Sequence, residues 1–374
     1  MTISSKKTLV LHIGDPKTGS TAIQDALATN RISVNGQLPY YNSKLAHNVI
    51  VKHIRNYEGS EEKSKEQARS ALTKMANGIA HSDSDICVIS AELLADISAT
   101  RFKKIYDEFF APHVSELKVI AYVRPHISWI LATFGESLKI GNFKGDLEAF
   151  YLSRMKRDNI FPYHARFSEW KAVFGEAFVL RPFSRRLLVS QSVISDFSEY
   201  AFGSGNYEIA DLTRLDRSNV SLGLEDLLRI SFLHEFVEHK PWIFRHHLGW
   251  EVHRVIGMTQ GHDKAKAGPK TKVQIHKDLA KKAQNRFLED AKSMDRDFFA
   301  ETPFLAEALD DAVRSACDTP QSMLPEDYFS ESELRTLTLF SEMFASAFEK
   351  QAEPWVRHFE DLRIQTRAKN LSES

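Results

Sequence analysis

The stretch that most constrains this chain is Thr8-Leu-Val-Leu-His-Ile-Gly-Asp-Pro-Lys-Thr-Gly-Ser-Thr-Ala-Ile-Gln24. Its apolar run, Thr8 to Ile13, reads as a buried strand. Gly14, Asp15 and Pro16 break the run. Thr18-Gly19-Ser20-Thr21 then opens a segment whose apolar positions, Ala22, Ile23, Ala26 and Leu27, recur at helical spacing. Strand, glycine loop and helix in that order form the geometry of a phosphate cradle. The first N–H groups of a helix have no partner inside it, and the helix dipole adds to their attraction for an anion.

The same alternation continues downstream. Ile86-Cys-Val-Ile89, Leu117-Lys-Val-Ile-Ala-Tyr-Val123 and Phe178-Val-Leu-Arg-Pro-Phe183 read as further strands. Helical patterns lie over residues 101–110, from about Ser128, and over 163–175, the last capped by Gly175. Strands alternating with helices imply a parallel sheet with right-handed crossovers. Residues 58–79 are polar, then helical toward Leu72 and Met75, and read as a solvated face. Beyond Gly203-Ser-Gly-Asn206 the strand signal fades, and 222–260, 275–315 and 331–365 are helical in pattern. The expected fold is α/β: a P-loop-like three-layer core with a central, mostly parallel sheet over residues 1–205. A largely helical region over 206–374 is expected to pack on it and shape an acceptor site.

Bulk properties narrow the function classes. A net charge of −1 gives no global pull toward nucleic acid. Two cysteines, Cys87 and Cys317, far apart in 374 residues, do not make a disulfide framework and read as core residues. No apolar run approaches the ~20 residues of a membrane helix. The stretch after Lys6 and Lys7 is short and enters the glycine loop, so it reads as a first strand and not a signal peptide. A cytoplasmic location is the resulting expectation.

A nucleoside-triphosphate loop has the form G-x-x-x-x-G-K-[ST]. Gly14 and Gly19 keep that spacing, but Ser20 stands where the lysine belongs, and the lysine lies upstream at Lys17. The pattern Pro-Lys-Thr-Gly-Ser-Thr resembles the 5′-phosphosulfate loop of the sulfotransferases that use 3′-phosphoadenosine 5′-phosphosulfate (PAPS). The resemblance extends over residues 86–94 and 117–139. It continues more weakly through Trp170-Lys-Ala-Val-Phe-Gly175, Leu180-Arg-Pro-Phe183 and Asn219-Val-Ser-Leu222. It implies sulfuryl transfer from PAPS to a hydroxyl, with 3′-phosphoadenosine 5′-phosphate (PAP) as by-product and no metal. The acceptor it suggests is a carbohydrate, such as a polysaccharide or glycolipid.

The resemblance also assigns residues. Lys17 is the cation at the bridging oxygen, with Thr18, Gly19, Ser20 and Thr21 giving N–H groups and hydroxyls to the 5′-phosphate. A plainer role for those hydroxyls is capping the helix. Arg124, at the end of a strand, corresponds to the arginine that grips the donor's 3′-phosphate; its plainer role is a surface ion pair. The serine expected eight residues on is Ala132 here, leaving Ser128 and Thr133 as the nearby hydroxyls. Two candidates stand for the base that takes the acceptor's proton. Glu92, in Val-Ile-Ser-Ala-Glu, resembles the Ser-Ser-Glu segment of bacterial sulfotransferase-like proteins, although a helix-N-terminal acid is its bland alternative. His47 titrates near neutral pH without help. His12, inside the first strand, reads as a buried, hydrogen-bonded histidine.

Two other function classes are open: a P-loop kinase or NTPase with a displaced lysine, and a non-catalytic nucleotide- or glycan-binding protein on the same scaffold. His234-Glu-Phe-Val-Glu-His239 has five-residue histidine spacing, not the i, i+4 of a zinc helix, so it predicts no metal site, with His246, His247 and His253 nearby. The basic loop Gly261–Lys272 reads as solvated, with a polyanionic acceptor as its functional alternative.

Overall fold

The computed structural model describes residues 7–157, 161–210, 222–261, 271–349 and 352–372. Most of the basic loop, residues 219–221 of the weak resemblance and the last two residues lie outside them. Two compact units divide the chain, and their sequences interleave. The first takes Met1–Pro125, Asn159–Leu215 and Glu289–Leu305; the second takes His126–Asp158, Asp216–Leu288 and Ala306–Ser374. The sequence reading places a single boundary near 205 instead. An amphipathic pattern shows that a helix has an apolar face, not which neighbour covers it.

The first unit is α/β. Strands β1 (Thr8–His12), β3 (Ile86–Ser90), β4 (Glu116–Val123) and β5 (Phe178–Pro182) form a parallel sheet in the order β3-β1-β4-β5. Alternate residues face opposite sides of a strand. Val10, Val88, Ile120 and Tyr122 face α1 (Ser20–Ala28) and α8 (Val193–Phe202), packing on Ile23, Leu27, Ile194 and Phe197. On the edge strand, Arg181 turns to that same side and meets Asp196 of α8 through both carboxylate oxygens, at 2.8 and 3.1 Å. Phe178, three residues earlier, points the other way and stacks near Trp170 and Phe167 of α7 (Tyr163–Phe174). Helices therefore cover both faces.

Several elements escape the sequence pattern. The three-residue strands β2 (Ile32–Val34) and β6 (Tyr207–Ile209) pair antiparallel, and α2 (Val49–Tyr57) follows Asn48. The segment 58–79 carries α3 (Glu62–Ala80), which buries Ala68, Leu72, Ala76 and Ile79. The helix expected over 101–110 begins at Ala99, where Ser98 accepts the Arg101 N–H, and runs as α4 to Ile105. It widens into a π-turn over Tyr106–Phe110 that buries Phe109 and Phe110. Gly175 ends α7 at φ +55, as expected.

The second unit is helical. It contains α5 (His126–Lys139), α6 (Leu147–Arg157), α9 (Leu224–Phe236), α10 (Trp242–Gly261), the first half of α11 (Lys277–Phe298), nearly all of α12 (Leu305–Arg314), α13 (Glu331–Ala347) and α14 (Ala352–Ser372). Leu233, Val237, Phe244, Leu248, Phe348 and Phe359 form one of its cores. Where α10 crosses α5, a Cβ on Gly249 would lie 1.8 Å from the Lys139 carbonyl oxygen, so only glycine permits that approach.

Candidate functional site

Register places the site. β1 is flanked by β3 and β4, with His12 opposite Ser90 and Ile120. Because all three strands are parallel, their carboxyl ends share one edge, which is where open α/β sheets bind ligands. The glycine loop after β1, Ser90–Glu92 after β3 and Arg124 after β4 meet there.

The loop is held in a strained shape. Lys17 has φ +69 and Gly19, the N-cap of α1, has φ +82. Gly19 has no side chain with which to cap the helix. The neighbouring hydroxyls do not cap it either: Thr18 Oγ1 donates to the Asp15 carbonyl at 2.6 Å, and Ser20 Oγ donates to Glu92 Oε2. The simple capping role for Thr18 and Ser20 is therefore not the one they take. Thr18 is wholly buried, backbone and hydroxyl alike. Thr21 is half-buried on the first turn.

Arg124 closes the loop from the β4 side. Its Nη1 donates to the Lys17 carbonyl at 2.9 Å, and its guanidinium lies 5.7 Å from the Phe183 ring centre. Burial lowers its pKa. The surface-ion-pair role is thereby replaced by a contact with the loop itself. Ser128 and Thr133 lie on α5, which belongs to the second unit, with Ser128 in the first turn. Thr133 Oγ1 is buried with no hydrogen-bond partner among the described residues.

The two base candidates have different surroundings. Glu92 is half-buried, and its carboxylate is tied to Ser20 at the start of α1. His47 is buried, packs edge-on against Tyr41 and accepts the Ser90 N–H at Nδ1, 3.3 Å away. With Nδ1 accepting, the neutral ring carries its proton on Nε2 and has no lone pair there. Burial pushes its pKa down to about 4. His12 is fully buried, bonds Ser90 Oγ at 2.8 Å through Nδ1, and is likewise pushed down to about 4 by burial. Gln24 donates to the same Ser90 hydroxyl at 3.1 Å, so Ser90 links both histidines to α1.

Sequence reasoning missed two residues. Asp15, inside the loop, is wholly buried, and Arg166 of α7 donates to both its carboxylate oxygens at 2.6 and 2.8 Å. Burial alone would lower the Arg166 pKa, but the Asp15 charge and hydrogen bonds outweigh it and raise it. Asp15 sits in the loop from which the sequence reading expects anion binding, and the arginine that neutralises it is 151 positions away.

Elsewhere, His234 is buried and bonds the Lys139 carbonyl through Nε2 at 2.8 Å. Among the described residues there is no group of three or more His, Cys, Asp or Glu side chains placed to hold a metal ion. Cys87 is buried and Cys317 half-buried, both as free thiols. No helix among the described residues is long and apolar enough to cross a membrane.

No protein-family model matches the chain, and no curated protein matches it.

Proposed function

We propose that this chain is a sulfotransferase that moves a sulfuryl group from PAPS to a hydroxyl of a carbohydrate acceptor, on a P-loop-like core. The observation that carries the reading is one cluster at the sheet's carboxyl edge. It joins Lys17, a helix N-terminus without a side-chain cap, Arg124 on the Lys17 carbonyl and Glu92 on Ser20.

These residues suit the donor's chemistry. PAPS when bound supplies an activated sulfuryl group and two anionic phosphate positions. Lys17 and the backbone N–H groups of Thr18 to Thr21 would hold the 5′-phosphosulfate, and Arg124 the 3′-phosphate. Preorganised donors aimed where negative charge develops are commonly the largest contribution to rate. Lys17 answers the charge on the departing phosphate oxygen. Glu92 takes the acceptor's proton as it attacks, and its tie to Ser20 orients it. His47, with Nδ1 engaged, keeps the end of β3 in place. Ser20 bonded to Glu92, where a nucleoside-triphosphate loop needs its lysine, argues against ATP or GTP turnover.

The test is transfer of ³⁵S-sulfate from labelled PAPS to a panel of saccharides. Wild type should label at least one saccharide. Glu92→Gln should cut the rate by about 10²–10⁴-fold, the usual contribution of a general base, while leaving PAP binding within a few-fold. Equal rates for both proteins would remove Glu92 from the mechanism, and activity lost only in His47→Gln would transfer the role to His47.

A further inference from the structure

We propose that the buried Asp15–Arg166 pair positions the anion loop, and that Arg166 sets where Lys17 stands; the identity of the anion rests on the sulfotransferase reading, but the positioning does not. Lys17 is a non-glycine residue at φ +69. Such a conformation is costly for a residue with a Cβ and persists only where the surroundings over-determine it. They do so on both sides of Lys17. Two residues before it, Asp15 is fixed by its side chain to Arg166 and by its carbonyl to the Thr18 hydroxyl. At Lys17 itself, the carbonyl is fixed by Arg124.

The two anchors share a base. Arg166 lies on α7 with its guanidinium 4.3 Å from the Phe167 ring centre. On the same helix, Tyr163 donates its hydroxyl to the Arg124 carbonyl at 3.0 Å. The N-terminus of α7 is in turn held by Asp290, which accepts the Tyr163 and His164 N–H groups at 3.1 and 3.0 Å. One helix therefore locates both Asp15, two residues before the strained lysine, and the arginine that holds the lysine's carbonyl.

Charge gives a second reason for the pair. A free carboxylate in this loop would repel the anion that Lys17 and the α1 N-terminus attract. Arg166 cancels it with a planar two-point contact that lysine cannot reproduce. Stability alone explains the pair poorly, because replacing a buried ion pair with apolar residues of similar volume is often neutral or stabilising, whereas removing one partner is costly.

That asymmetry makes the test. Amide hydrogen exchange would be measured without ligand on wild type, Arg166→Met, Arg166→Lys and the double variant Asp15→Leu/Arg166→Met, beside thermal melts. In the double variant the melting temperature should return toward wild type while the amides of Ala22 and Ile23, which bond the Gly19 carbonyl of the loop, still exchange faster by about tenfold or more, with β1 and β4 unchanged. Arg166→Lys, which keeps the charge and loses the fork, should fold and show an intermediate increase; it serves if Arg166→Met does not fold. Loop protection that returns with stability in the double variant, or that is unchanged in Arg166→Lys, would overturn the proposal. A wild type that fails to bind PAP while its loop responds in this way would refute the sulfotransferase reading and leave the positioning role standing.

Discussion

Lowering the pH should weaken the first unit through two histidines at the carboxyl edge of its sheet. His12 is 0% and His47 8% exposed, and burial pushes both pKa values down to about 4. In the unfolded chain each returns to about 6.5. Between those values the unfolded chain binds a proton on each ring that the folded chain does not. Stability is thus full above about pH 6.5 and falls as the pH drops toward about 4, by about 1.4 kcal/mol per pH unit for each ring. At about pH 5 the loss is about 2 kcal/mol per ring and about 4 for the two together. Urea unfolding at about pH 7.5 and about pH 5 would measure it. The probe is Trp170, labelled as 5-fluorotryptophan and resolved by NMR, because Trp129, Trp242, Trp250 and Trp355 all lie in the second unit. In His12→Gln or His47→Gln the difference between the two pH values should shrink by about 2 kcal/mol. Variants with the same pH dependence as wild type would refute the reasoning, as would a wild type that weakens only below about pH 4, where carboxylates titrate.

Two substitutions test the close approaches. Gly19→Ala places a methyl at φ +82, 2.9 Å from Phe183 Cε2 and 3.0 Å from Val193 Cγ1. It should cost about 1–3 kcal/mol by urea unfolding and weaken PAP binding in a parallel titration. Gly249→Ala sets a methyl 1.8 Å from the Lys139 carbonyl oxygen. Forcing α5 and α10 apart should cost about 3 kcal/mol or more, and should alter the emission of Trp250, whose ring centre lies 3.2 Å from Lys139 Nζ.

The strands and the loop were legible because each is a short apolar run ended by a glycine, a proline or a charge. Val10, Val88 and Ile120 follow from pattern alone, and the parallel sense of the strands follows from the helices between them. The strand order that sets β3 and β4 on either side of β1, and so brings Glu92 and Arg124 to the loop, comes from the fold. What stays hidden has specific causes. β2 and β6 are three residues each, too short for a period of two to register. The interleaving of the units turns on α5, whose buried residues surround much of its circumference, including Lys139 and His126, so no apolar stripe marks its partner. Arg166 reads as one more charge on an amphipathic helix. Only the fold places it on Asp15, where it neutralises the acid of the loop.

The most direct test of the central claim is calorimetric titration of PAP into wild type and Lys17→Ala, with ATP–Mg²⁺ as the competing ligand. Micromolar PAP binding that weakens by about tenfold or more in Lys17→Ala, the loss of one charge-assisted contact, is the predicted result. A wild type that binds ATP–Mg²⁺ and not PAP would contradict it.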